Sequence, residues 1–163
     1  MNFRCSIFGA SWFAFTAVLS ACGESSSSNL MLEVGTGTSR FETIEEGEVV
    51  DLTRGSQGGW HIWVSFRVTG LMADNAAITL TRQLASEEEP ESVSRVPARF
   101  DPEDSEGRRA ALGWPSVVVA PECKVGELMR FHAVMELQGR EVTSERFFEL
   151  GPGNFPPPSC ETP

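Results

Sequence analysis

Residues Trp60–Thr69 (WHIWVSFRVT) alternate between apolar and mostly polar side chains over ten consecutive positions. Because successive side chains of a β-strand point to opposite faces, a two-residue period predicts a strand with one buried face. The predicted inner positions are Trp60, Ile62, Val64, Phe66 and Val68, and the outer ones are His61, Trp63, Ser65, Arg67 and Thr69. A chain with this strand needs a second layer of structure to cover its apolar face.

Other short runs between turn residues also have the pattern of strands. They cover residues 30–34, 40–45, 48–53, 76–84, 92–100, 109–112, 117–120, 130–137 and 141–150. Pro97 predicts an edge strand, because proline cannot donate to a sheet ladder, and residues 138–140 predict a hairpin turn. Helix is confined to one possible turn at residues 73–77. These signals predict an all-β fold, a single immunoglobulin-like β-sandwich of about eight or nine short antiparallel strands.

The N-terminus has the pattern of an export signal. Arg4 precedes an uncharged apolar run, residues 7–19, which as a helix would span about 20 Å and is too short for the ~30 Å bilayer core. The four residues before and including Cys22 (LSAC) resemble the lipobox of bacterial lipoproteins. The resemblance implies that Cys22 carries diacylglycerol and that cleavage removes residues 1–21. Residues 22–29 would then be a Ser-rich tether, and residues 30–163 the folded domain.

The lipobox, the tether and a late cysteine pair together resemble lipoproteins of myxobacteria and their relatives. This resemblance implies a cell-envelope protein held to the membrane by fatty chains such as palmitate. Two or three chains on one cysteine would hold it permanently, since each buried CH₂ contributes ~0.8 kcal/mol. Gly23 is not the aspartate associated with inner-membrane retention in some bacteria, which favours the outer membrane of a Gram-negative cell.

The remaining cysteines predict a disulfide. Cys5 leaves with the signal and Cys22 takes the lipid, so Cys123 and Cys160 remain in an exported chain, where disulfides persist. Their bridge would contribute ~3–4 kcal/mol in the chain-entropy description and would hold the Pro/Gly-rich tail.

The charge of the chain limits its partners. A formal charge of −10 leaves no basic stripe for nucleic acid, so the expected partners are the membrane, through the lipid, and a protein or a glycan. The acidic run at residues 87–91 is expected to be a solvated loop. Residues 101–107 have enough oxygen ligands for Ca²⁺ but lack the spacing of a calcium loop, so a charged turn is the favoured interpretation.

Gln57, His61 and Trp63 form the candidate recognition site, because they surround a glycine-rich turn whose N–H groups could bind an anion. The alternative is structural: Gly58 and Gly59 permit a tight turn, and His61 begins a strand. Trp63 on the polar face is either covered by a loop or a platform for a sugar or protein partner.

A second hypothesis is a periplasmic copper-binding protein that uses His61 and His132, with Met135 as a further ligand. Against it, the two histidines are far apart in sequence and lack a metal-ligand spacing, so no metal and no cofactor are expected. Motifs of serine hydrolases, zinc proteases and P-loop enzymes are absent from the sequence. We therefore expect a non-catalytic binding or structural module, with an undetected hydrolase triad as the third alternative.

Overall fold

The computed structural model describes residues 29–160, which form two β-sheets packed around one core. The strands are β1 (Met31–Thr36), β2 (Glu42–Thr43), β3 (Glu48–Asp51), β4 (Thr53–Arg54), β5 (Trp60–Thr69), β6 (Asn75–Leu84), β7 (Ser92–Arg99), β8 (Arg108–Val118), β9 (Leu128–Leu137) and β10 (Arg140–Gly151). A short 3₁₀ helix, Pro121–Cys123, follows β8. The signal, Cys22 and most of the predicted tether lie outside the described residues.

The two sheets have five strands each. In sheet A the order is β2-β1-β5-β4, and β8 pairs with the other side of β5; sheet B has the order β3-β10-β9-β6-β7. The predicted all-β sandwich is confirmed. The structure has ten strands rather than eight or nine, several of them ten or more residues long, and β3 runs parallel to β10 while the other pairs are antiparallel.

The core lies between the inner faces of the sheets, and β5 supplies its centre. Ile62, Val64 and Val68 are fully buried, as the alternation predicts. Phe131 of β9 and Phe148 of β10 meet them from sheet B, with 4.6 Å between their ring centroids. Each such side chain contributes about 1.5–3 kcal/mol through burial, so the hydrophobic effect holds the two sheets together. Within residues 29–160, no helix is long and apolar enough to cross a bilayer.

The prediction of separate strands at residues 109–112 and 117–120 is wrong, because residues 109–112 and 117–118 belong to one strand, β8. A bulge between Val64 and Phe66 shifts the pairing of β5 with β8, and Gly113 takes a φ of +70° there. Ser65 accepts a hydrogen bond from Gly113 N at 3.0 Å, which holds the bulge and buries this outward serine. The bulge breaks the alternation of β8 into two short runs. Ala120, with φ 48°, lies beyond the end of the strand.

Three other local predictions also change. The run at residues 40–45 contains only the two-residue β2, and the possible helical turn at residues 73–77 is absent because β6 begins at Asn75. The run at residues 48–53 divides between the sheets: β3 joins sheet B, and β4 joins sheet A. Leu52, between them, is buried and donates its N–H to Gly151 O at 3.0 Å.

Arg82 is a charged residue on the inner face of β6, in line with Ile78 and Leu80. Its guanidinium donates to Ser116 Oγ at 2.8 Å and to Val117 O at 2.6 Å, so it links sheet B to the edge strand of sheet A. Glu91 accepts from Arg82 Nε at 3.3 Å and pairs with Lys124 at 2.5 Å. The prediction that residues 87–91 form a solvated loop therefore holds for 87–90 and is wrong for Glu91, which is largely buried.

Several local predictions are confirmed. The Cys123–Cys160 disulfide is present, with 4.8 Å between the Cα atoms. Pro97 lies on β7, the outermost strand of sheet B, and Pro115 lies on β8, an edge of sheet A. A proline on an exposed edge discourages pairing with another chain. The hairpin between β9 and β10 turns at Gln138 and Gly139, both with positive φ.

Candidate functional site

Trp63 lies beside a gap in sheet A. On one side of β5, pairing with β1 ends at Gly35 and Ser65, and pairing with β4 begins at Thr53 and His61. The middle of β5 therefore has no strand neighbour on that side. Thr36 Oγ1 donates to Trp63 O at 2.8 Å, which satisfies the carbonyl that an adjacent strand would otherwise bind.

A groove of about 570 Å³, which we call the aromatic lobe, opens on one side of Trp63. The glycine-rich turn forms its wall: Gly55 N donates to Gly59 O at 2.7 Å, and Gly58 takes a φ of +86°. The lining consists of strand side chains and this turn: Thr53, Arg54, Gly55, Ser56, Gln57, Gly59, Trp60, His61, Trp63, Pro115 and Val117. The lobe combines an apolar, aromatic floor with amide, hydroxyl and guanidinium groups.

A second groove of about 340 Å³, the acidic lobe, opens on the other side of Trp63. It is lined by hydroxyl and carboxylate side chains and by backbone: Thr36, Gly37, Thr38, Ser39, Glu42, Glu48, Val49, Val50, Asp51 and Trp63. Glu48 accepts a hydrogen bond from Glu45 N at 2.8 Å, and Asp51 accepts one from Gly153 N at 3.1 Å. No lysine or arginine is among the described lining residues, so the lobe is negatively charged.

His61 packs against Trp63 within the aromatic lobe. The ring centroids lie 4.4 Å apart at an interplanar angle of 85°, an edge-to-face arrangement. Burial lowers the pKa of His61 below its ordinary value, so the imidazole is neutral at pH 7. Its Nε2 atom is buried and has no hydrogen-bond partner in the part of the chain that the structure describes. A neutral imidazole in this place holds the indole of Trp63 in position.

The structure brings the three residues of the predicted recognition site together. Gln57 lies exposed on the glycine-rich turn, and His61 and Trp63 lie on the outer face of β5, all lining the aromatic lobe. Trp63 is partly buried, so it is neither fully covered by a loop nor fully exposed, and it lines both lobes.

The residues of the copper hypothesis do not come together. His132 lies on the outer face of β9 in sheet B, opposite Glu145 and Thr81, whereas His61 lies on the outer face of sheet A. The core separates them, and Met135 is fully buried within it. Among residues 29–160 there is no group of three or more side chains suited to hold a metal ion.

Residues 101–107 form a charged turn around Asp104. Its Oδ1 accepts the N–H groups of Glu106 and Arg108, both at 2.9 Å, and its Oδ2 pairs with Arg108 Nε at 3.0 Å. The backbone hydrogen bond from Arg108 is the main cause of a lowered pKa for Asp104. Both oxygens of this carboxylate are therefore engaged within the turn.

Several lining residues have no counterpart in the sequence prediction. Pro115 and Val117 reach the aromatic lobe because β8 pairs them with Trp63 and His61. Arg54 lies over the Trp60 ring at 6.0 Å, and Glu48 and Asp51 reach the acidic lobe through the crossing from β3 to β4. Only Arg54 was detectable locally, as the polar residue that begins the glycine-rich turn.

Comparison with known proteins adds no relative: no protein-family model matches the chain, and no curated protein is significantly similar to it.

Proposed function

We propose that this chain is a lipid-anchored protein of the bacterial cell envelope, in the outer membrane of a Gram-negative cell, whose β-sandwich is a non-catalytic binding module. The lipobox ending at Cys22 supports the anchor. The disulfide supports an oxidising compartment, where such bonds persist. The proposed binding surface is the pair of lobes on either side of Trp63.

The observation that carries the binding role is the aromatic lobe. Binding sites for small ligands are concave and mostly apolar, with a few polar groups that fix orientation, and their volumes run from about 300 to 1,000 Å³. The aromatic lobe has this size and this mixture, with Trp60, His61 and Trp63 as its aromatic part and Gln57 and Arg54 as polar groups. Its position beside a sheet gap gives it rigid walls on strands β4, β5 and β8.

The anchor is tested by metabolic labelling with radioactive palmitate in a Gram-negative host. We expect label in the wild-type chain and none in the Cys22→Ala variant, which should also lose partition into a detergent phase. An unlabelled wild-type product, or one that retains residues 1–21, would contradict the anchor.

The binding role is tested by co-sedimentation of the purified protein with cell-envelope fragments. We expect Trp63→Ala to abolish co-sedimentation, because it removes the ring shared by the two lobes. Phe155→Ala is the matched control, since Phe155 is an exposed aromatic residue outside both lobes. Equal sedimentation of the two variants would reject the lobes as the binding surface.

A further inference from the structure

The two lobes lie on either side of Trp63, which lines both, and they differ in chemistry; we call the two lobes together the trough. On one side the ring is followed by Trp60, Pro115 and Val117, which present flat apolar surface. On the other side the ring is followed by Glu48 and Asp51 together with threonine and serine hydroxyls. A ligand that fills the trough therefore needs an apolar face, a hydroxylated rim and, at one end, a positive charge.

Charge complementarity restricts the ligand further. The acidic lobe has three carboxylates, of Glu42, Glu48 and Asp51, and no basic lining residue. The only cation paired with these acids in the described chain is Arg40, which bonds Glu42 from an exposed position at 2.9 Å. An anionic ligand would be repelled here, whereas an ammonium group next to carboxylates and an indole ring gains both ionic and cation–π attraction.

The backbone of β5 argues against an extended basic peptide as the occupant. A peptide that adds to a sheet uses the free carbonyl and N–H groups of the strand beside it. At the gap, the carbonyl of Trp63 already accepts the hydroxyl of Thr36 at 2.8 Å. This carbonyl is therefore not free to pair with an added strand, which favours a ligand that presents rings and hydroxyl groups over a peptide backbone.

We propose that the trough binds an oligosaccharide that contains free amino groups. This inference rests on the proposed binding function and names its ligand class. A sugar ring packs its C–H face on Trp63, its hydroxyls bond to Gln57 and to the lobe hydroxyls, and its ammonium group lies at Glu48 and Asp51. The binding is non-covalent and changes no bond in the sugar.

Calorimetric titration of the full-length mature protein in mild detergent tests the proposal. The probe is an oligomer of glucosamine under mildly acidic conditions that keep its amines protonated, and its matched partner is the N-acetylated oligomer of the same length. We expect the glucosamine oligomer to bind at least about tenfold more tightly than the acetylated one, since only it offers ammonium groups to the carboxylates and the ring.

Two double variants distinguish the effect of charge within the acidic lobe from the effect of the overall charge of the protein. Glu48→Gln with Asp51→Asn keeps the oxygen atoms that accept backbone N–H groups but removes two charges, and should weaken glucosamine binding about three- to tenfold. Glu87→Gln with Glu88→Gln removes two charges from an exposed loop outside both lobes and should leave binding unchanged.

The outcomes distinguish this inference from the proposed function. Equal affinity for the acetylated oligomer would overturn the ammonium site, and equal binding of a lysine peptide of the same charge would overturn the saccharide class. If neither oligomer binds while Trp63→Ala still abolishes envelope co-sedimentation, the ligand class is wrong and the binding role stands. If Trp63→Ala leaves co-sedimentation intact as well, both proposals fail.

Discussion

Removal of Glu91 should destabilise the fold far more than removal of any neighbouring acid. Arg82 is only 2% exposed and Glu91 10% exposed, so the pair is shielded from water. Desolvation is the main cause of the lowered pKa of Arg82, and the charge of Glu91 acts in the opposite direction. In Glu91→Ala the guanidinium would stay buried without its counter-ion.

Loss of one partner of a buried ion pair costs about 3–5 kcal/mol, because the other charge remains without compensation. For a domain of this size the corresponding fall in Tm is about 10–20 °C. The measurement is urea and thermal unfolding of the chain from residue 23 onward. Glu88→Ala is the control, because it removes the same charge from an exposed position of the same loop and should change little.

A double-mutant cycle tests the cause. The combined variant Arg82→Met with Glu91→Ala should be less destabilised than the sum of the two single variants by more than about 1 kcal/mol, since the buried guanidinium has gone and only Lys124 loses its partner. If Glu91→Ala unfolds at the same urea concentration as Glu88→Ala, the reasoning is refuted. Arg82 would then have found water or another partner, and its ion pair with Glu91 would not be what stabilises it in the core.

Three further outcomes follow from features described above. Reduction of the disulfide should lower the free energy of unfolding by about 4 kcal/mol, seen as an earlier urea midpoint; an unchanged midpoint would contradict the chain-entropy account. Because burial lowers the pKa of His61, the unfolded chain binds the proton first and stability falls as pH drops through 6.5. His61→Gln should therefore reduce the fall in Tm as the pH drops below about 6.5, whereas a parallel decline in both proteins would exclude this histidine as a source. Gly35→Ala should cost about 1–3 kcal/mol by urea unfolding, since its new methyl would collide first with the backbone carbonyl of Glu42 and then with the Phe41 ring at 2.6 Å. Gly59→Ala, with open space around it, should be neutral; equal stability of the two variants would show that residues 41–42 move aside.

The parts of the fold that could be predicted are those encoded by neighbouring residues. The alternation of β5, the proline on edge strand β7 and the Gln138-Gly139 turn are local signals with a direct physical cause. The disulfide followed from counting the cysteines that export and lipidation leave. None of these depends on which strands meet across the sandwich.

The parts that were missed depend on distant partners. Arg82 looks like a solvent-facing interruption of β6, and only the positions of Ser116 and Glu91 make its burial tolerable. Nothing near Leu52 signals that the chain passes from one sheet to the other. The bulge opposite Ser65 reverses the phase of alternation within β8, which makes one long strand look like two short ones.

The residues of the candidate site also fall into two groups, those that are close in sequence and those that distant strand pairing brings to the site. Gln57, His61 and Trp63 are close in sequence and were found together. Pro115 and Val117 enter the site through the β5–β8 register, and Glu48 and Asp51 enter through a crossing between sheets. Sequence reasoning could therefore find the glycine-rich wall and the His61–Trp63 part of the floor, but not the β8 side chains or the charge of the acidic lobe.

The register of β1 on β5 places the start of the described chain far from the aromatic lobe. Met31 pairs with Thr69, at the opposite end of β5 from Trp60 and His61. The end of the domain at which the described chain begins is thus about 25 Å from the aromatic lobe, at ~3.3 Å per residue along the strand. If Cys22 carries the proposed lipid, the tether would join the domain at this end, and the proposed binding surface would lie at the end farther from the attachment point.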